Sequence, residues 1–330
     1  LLNVATIFFV VNFMNRDNME GFIRLYLVSF FALSLFGIVQ YITPQIGLQP
    51  IEVGQWWVPD VLPRVNAFTY EPSFFATYLL FGMPAMLVLL ARGKLVGIPQ
   101  WLFYTMLAVD VTALMVCSSR TGILLFLVFL AGFMVSIIVR WIRERRLGLH
   151  LAMSFAVPLF VAASVLLIMD MRLRQVNGDG GHASYMLDTG WKEKDITRGN
   201  SFKSRIQAME KTFDVFQKNP VIGVSLGGIA PWIATTRLTD ITSNDQVKPF
   251  EGTNVPLEVL AASGVIGFVV FCIYIFLLCR PLLKKGPDGG DKDYYIALFW
   301  GFALGFIMLV ENQNILRPYV WAHIALMVGV

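Results

Sequence analysis

"RVNAFTYEPSFFATYLLFGMPAMLVLLARGK" (residues 64–94) sets an Arg and a Glu against an almost wholly apolar run, then closes on Arg92 and Lys94. A helix needs roughly 20 apolar residues to cross a ~30 Å hydrocarbon core, and residues 73–92 meet that length. A helix lying on a soluble core would alternate polar and apolar faces instead. Working outward, the same signature recurs. The chain is 56% hydrophobic and 15% charged, with a mean hydropathy of +0.65. We read nine apolar segments: 1–14, 21–42, 73–92, 98–117, 121–140, 149–170, 255–281, 294–311 and 318–330. The fold class expected is an all-α integral membrane protein. The chain opens on Leu1 inside an apolar run, without Met or a signal-peptide pattern, and further spans are expected before it.

The net charge of +4 is modest, and no nucleic-acid partner is expected; the placement of the charge is more informative. Arg16 and Arg24 flank the start of the second segment. Arg92 and Lys94 follow the third, Arg140, Arg143, Arg145 and Arg146 the fifth, and Arg280, Lys284, Lys285 and Lys292 the seventh. The alternate short connections carry only Arg64, Arg120 and Arg317. Basic loops stay in the cytoplasm, so the 43–72 loop, the "SSRTG" turn, the long 171–253 loop and "ENQNILRP" are expected outside. The organisation expected is spans over 1–170, a large outer loop over 171–253 and further spans over 254–330, together one membrane domain. Cys117, Cys272 and Cys279 lie in or beside apolar runs and read as buried thiols, not a disulfide or metal framework.

Within the long loop, "NGDGGH" (177–182) reads as a linker. Phe202, Ile206, Met209, Phe213 and Phe216 then recur at helical spacing, ending at "KNP" (218–220). The spacing predicts an amphipathic helix lying in the membrane interface. "VIGVSLGG" (221–228) reads as a glycine-rich turn.

Ionisable groups near a bilayer are costly and point to function. Glu71, Asp110, Glu258 and Glu311 all fall at the outer ends of their segments, level with Arg64, Arg120 and Arg317. His150 and His323 read as structural. A guanidinium at the lip of an apolar wall suits a molecule with a lipid tail and a phosphate head, because its planar donors match phosphate oxygens and its charge persists when partly desolvated. A lipid-linked sugar diphosphate meets that demand. No His, Cys or paired Asp cluster has metal-ligand spacing, and no cofactor is expected.

Four stretches carry a resemblance: "RVNAFTYEPSFFATYL", "CSSRTG", "SRIQAMEKTFDVFQKNPVIGVSLGG" and "TNVPLEVLAASGVIG". In their order over about residues 60 to 275, they are similar to the O-antigen ligase and polymerase (Wzy-type) family of membrane glycosyltransferases. The resemblance implies a GT-C-like multi-span helical bundle with a large periplasmic loop containing an amphipathic helix. It implies a multi-pass protein of the bacterial inner membrane with its active site facing the periplasm. The partners implied are an undecaprenyl-pyrophosphate-linked glycan, a glycan or lipid acceptor and membrane lipids, with a chain-length regulator as a further candidate. Carried over residue by residue, Arg120 is the Arg of "SSRTG", Arg205 opens the loop helix, and Arg64 and Glu71 form the "R…EPS" stretch. With Arg317 these arginines are the expected pyrophosphate ligands. Thr253-Asn254 stands where ligases usually carry His-Asn, so the acceptor-activating base falls to Glu71 or Glu251.

Each residue also has a bland reading. Glu71 starts a helix well, Arg120 anchors a span at the headgroups, Arg205 snorkels, Glu258 serves a helix terminus and Asp110 makes an interhelical hydrogen bond. The function expected is polymerisation of lipid-linked repeat units. Its alternatives are ligation of the finished glycan to lipid A core or protein, a lipid-glycan flippase, and a non-catalytic receptor. A flippase needs polar groups through the membrane depth, and here they gather at one face.

Overall fold

The computed structural model describes residues 2–15, 17–49, 51, 56–58, 62–144, 149–177, 201–237, 254–283, 290–312 and 315–330. The "NGDGGH" linker beyond Asn177, Glu251 and Thr253 lie outside them. All nine apolar segments are helical. They form α1 (Leu2–Phe13), α2 (Met19–Gln45), α3 (Pro72–Ala91), α4 (Gln100–Val116), α5 (Arg120–Glu144), α6 (Leu149–Asn177), α9 (Val255–Cys279), α10 (Gly290–Met308) and α11 (Pro318–Gly329). Between α6 and α9 come α7 (Ser201–Lys218) and α8 (Ile229–Arg237). Among the described residues five helices have the length and hydropathy of a membrane span, while α1, α4 and α11 are shorter and apolar. The protein is an all-α integral membrane protein.

Two elements escaped the sequence reading. Trp56–Val58 (β1) and Leu62–Arg64 (β2) form a small antiparallel hairpin, with Trp56 opposite Arg64. Strands of three residues are too short for an alternation to register. The other is α8, whose Pro231 falls in its first turn, where a missing amide hydrogen does no harm. A boundary also shifts. The apolar run ends near residue 170, yet α6 continues to Asn177, supported by an Arg174–Asp170 ion pair of 2.7 Å one turn apart. Helical hydrogen bonding does not stop where hydropathy does.

The chain divides into two compact units, with the division falling inside α10. The first holds residues 1–187, 286–305 and 318–330. Its axis is α3, buried at every position from Pro72 to Leu90, as expected of a helix that is hydrophobic all round. It packs against α2, α4, α5, α6 and α11. Between membrane helices, close approach requires small residues. A Cβ added at Gly82 would lie 2.5 Å from the Phe30 ring, at Gly301 2.1 Å from the Phe81 carbonyl oxygen, and at Gly305 2.4 Å from the Phe81 ring. "GFALG" (301–305) is therefore a small-xxx-small face packed on α3. The outer faces of α5 and α6 expose Leu124, Val128, Phe160 and Leu167, a surface suited to acyl chains and not to water. Inside, His323 is fully buried; Tyr26 O–H donates to its Nδ1 (2.6 Å), and its Nε2 donates to the Leu298 carbonyl (2.7 Å). That is the structural role expected of it.

The second unit holds residues 188–285 and 306–317. Val215 of α7, Ile229 and Ile233 of α8, and Ala261 and Ala262 of α9 form its core, with Phe216, Val224 and Trp232 packed against them. The buried side of α7 is Thr212 and Val215, whereas Ile206 and Phe213 of the predicted apolar stripe stay exposed. The predicted stripe is thus divided: Ile206 and Phe213 stay open, while Phe216 packs on the core of the unit. All three cysteines are free thiols. Cys117 is buried as expected, but Cys272 is exposed on α9, because a span's outward face meets lipid and not protein.

Candidate functional site

In the first unit, the turn between α4 and α5 gathers two of the predicted arginines. Cys117 caps the C-terminus of α4, and Ser118 turns the chain at a positive φ of 51°. Arg64, on the last position of β2, donates from Nε to the Cys117 carbonyl (3.3 Å) and from Nη2 to the Ser118 carbonyl (3.1 Å). Orphan carbonyls and the negative end of the dipole make a helix C-terminus a natural seat for a cation. Arg120 follows two residues later as the first residue of α5, and it is exposed. A cation at a helix N-terminus opposes the dipole, so helix stability does not account for Arg120.

Glu71 lies at the same end of the unit. It is the N-cap of α3, with extended backbone geometry and Pro72 in the first turn, and its Oε2 accepts from the Ser73 hydroxyl (3.0 Å). The starts of α3 and α5 approach closely, since a Cβ at Gly122 would lie 2.8 Å from that of Ala76. Arg64, Glu71 and Arg120 therefore share one rim.

Buried polar residues that the sequence reading missed hold this rim together. Gln40 of α2 is fully buried. Its Oε1 accepts from the amides of Asn66 (3.3 Å) and Ala67 (3.0 Å), and its Nε2 donates to Asn66 Oδ1 (2.8 Å). Asn66 Nδ2 in turn donates to the Thr69 carbonyl (2.8 Å), and Phe68 stacks on Phe36 at 4.2 Å. The "RVNAFTYE" stretch is a braced turn, not a slack connection. A Gln inside an apolar segment was the signal for it, because a buried amide needs partners.

Asp110 departs from expectation. It is fully buried in α4 near Ser34 of α2, but neither carboxylate oxygen makes a hydrogen bond of normal geometry to a described residue. Ser34 still acts on the carboxylate from the neighbouring helix, without the geometry of a normal hydrogen bond.

In the second unit, Arg205 of α7 donates from Nη1 to Glu311 Oε2 at 3.1 Å, with both side chains partly buried. Glu311 follows the end of α10. The adjoining residues receive the start of α9, where Val255 N–H donates to the Leu309 carbonyl (2.9 Å) and Asn254 Nδ2 to the Val310 carbonyl (2.8 Å). Asn254 Oδ1 also caps α9 by accepting from Leu257 N–H (2.8 Å). Three segments distant in sequence thus converge beside one Arg–Glu pair. Glu311, not chosen as a site residue from the sequence, is the carboxylate that faces Arg205. Arg317 is exposed immediately before α11.

A family model described as O-antigen ligase matches residues 103–272, just over half of the chain. The chain belongs to the O-antigen ligase family. No curated protein and no solved structure matches it. The matched stretch takes in the "SSRTG" turn with Arg120, the loop helix with Arg205 and the Asn254 cap, whereas Arg64, Glu71, Glu311 and Arg317 lie outside it. Membership carries function of the O-antigen ligase or polymerase type, a glycosyl transfer in polysaccharide biosynthesis at the membrane.

Proposed function

We propose that this O-antigen ligase family member polymerises undecaprenyl-pyrophosphate-linked oligosaccharide repeats at the periplasmic face of the bacterial inner membrane. The observation that carries the reading is Arg120, exposed on the first turn of α5 against the helix dipole and inside the family match. An anion there would be met by the guanidinium and by the first amides of α5 together. Arg64, anchored on the same turn, adds positive charge at the rim. Arg205 and Arg317 are proposed as further diphosphate ligands.

The chemistry is displacement at an anomeric carbon. An acceptor hydroxyl oxygen attacks that carbon, a carboxylate takes the hydroxyl proton, and the bond to the diphosphate oxygen breaks with its electron pair. Undecaprenyl pyrophosphate leaves, and arginines neutralise the charge growing on it. Glu71, on the rim with Arg64 and Arg120, and Glu251 are the candidate bases.

Thr253, in place of the usual His, favours polymerase over ligase. Purified protein given only lipid-linked repeat should yield longer lipid-linked glycan. Transfer solely to added lipid A core would make it a ligase, and movement across vesicles without a new glycosidic bond would make it a flippase.

A further inference from the structure

Helix α9 is interrupted at Gly264, whose φ of 63° and ψ of −169° are not helical. The loop that follows α7 is hydrogen-bonded to the break. Val224 N–H donates to the Ala261 carbonyl (3.1 Å) and Ser225 N–H to the Ala262 carbonyl (2.8 Å). Beyond the break, Val265 N–H donates to the Pro220 carbonyl (2.9 Å) and Ile266 N–H to the Val221 carbonyl (3.4 Å). Two glycines make this approach possible. A Cβ at Gly264 would lie 2.2 Å from Val221 backbone atoms, and one at Gly223 2.4 Å from those of Ala262.

The depth of the break follows from helix geometry. The 25 residues of α9 span roughly 37 Å at 1.5 Å per residue, against a hydrocarbon core of ~30 Å. Gly264 comes roughly 13 Å after the helix start. Residues 220–225 are held at the same level. Irregular backbone is tolerated in a bilayer where protein pairs its polar groups, and the four bonds to α9 pair the Val224 and Ser225 amides and the Pro220 and Val221 carbonyls. The side chains fit the same surroundings. Val221, Ile222 and Leu226 are 59%, 75% and 74% exposed, and no charged residue occurs from Asn219 to Gly228. Their surface continues into Val265, Ile266, Val269 and Val270, the outward face of the span itself.

We propose that residues 220–227 form a re-entrant wedge, with Val221, Ile222 and Leu226 immersed in the acyl chains of the leaflet that holds the start of α9. The partner of this surface is bulk membrane lipid. The wedge would moor α7 at headgroup level and keep Arg205 in the interface plane. It revises the placement of the whole 171–253 segment outside the bilayer.

The test uses the full chain with Cys117, Cys272 and Cys279 replaced by serine, reconstituted in nanodiscs of phosphatidylethanolamine and phosphatidylglycerol without polyprenol. Spin labels go on Ile222→Cys and Leu226→Cys, with Val269→Cys as lipid reference and Asp214→Cys as water reference. Oxygen should collide with the labels at 222 and 226 more often than a water-soluble nickel chelate does, as at 269, with the order reversed at 214. Labels at 222 or 226 as open to the nickel chelate as that at 214 would overturn the wedge. The readout is independent of transfer activity, so it stands or falls separately from the proposed reaction.

Discussion

Arg64 combines an observed structural role with a proposed chemical one. Its guanidinium holds the hairpin on the end of α4, and the same anchoring fixes a cation beside the α4–α5 turn. Lysine offers one point charge and cannot span two carbonyls with a planar fork, so Arg64→Lys should loosen the rim. Arg120 and Arg205 have the more direct proposed role. Removing one preorganised charge-stabilising donor typically costs about 100- to 1000-fold in rate. Arg120→Ala and Arg205→Ala should each lower elongation by that order, read as glycan chain length on gels, with membrane insertion intact. Normal chain length in either variant would remove that arginine from the mechanism. Gln40 supports the rim from below. Gln40→Leu strips the acceptor from two buried amides, at about 1–3 kcal/mol for a group left unsatisfied, and should lower the melting temperature in detergent. A melting curve unchanged from the parent protein would mean that the turn is braced by something else.

At the scale of elements, the informative comparison is between glycines. Gly264 has a backbone conformation that only glycine enters readily, costing other residues about 1–3 kcal/mol, and a Cβ there meets backbone at 2.2 Å. Gly223, at a φ of 67°, meets backbone at 2.4 Å. Gly132, within α5, has open space around it, so alanine there gains helix propensity of up to about 1 kcal/mol. Gly264→Ala and Gly223→Ala should therefore both destabilise the second unit and speed trypsin cleavage after Lys218, while Gly132→Ala does neither. Equal protease resistance in all three would mean that the loop does not depend on the break in α9.

For the molecule as a whole, orientation in the membrane is the decisive property, because it sets which pool of substrate the rim meets. Basic connections alternate with nearly neutral ones along the chain, and the proposed site lies at the neutral end, which we propose faces outward. A cysteine introduced at Gly180, in the proposed periplasmic loop, should react with a membrane-impermeant thiol reagent in intact spheroplasts. Reaction only after permeabilisation would invert the topology and place the rim in the cytoplasm. Family membership and the rim chemistry would then have to be reconciled with a cytoplasmic donor.

Sequence alone determined the class of fold and the positions of nine helices, because hydropathy over a bilayer's thickness is a local property that needs no knowledge of neighbours. It also placed the arginines and carboxylates at one end of their segments, since depth follows from position along a span. Which groups meet was decided by tertiary structure. Arg205 and Glu311 are 106 residues apart, and Gln40 reaches the turn at Asn66 from another helix. The glycines of "VIGVSLGG" illustrate the difference. Read locally they are a turn, and only packing against α9 shows that at Gly223 two backbones approach too closely for any Cβ between them. Pairings of this kind depend on shape at long range, and one-dimensional periodicity carries no record of them.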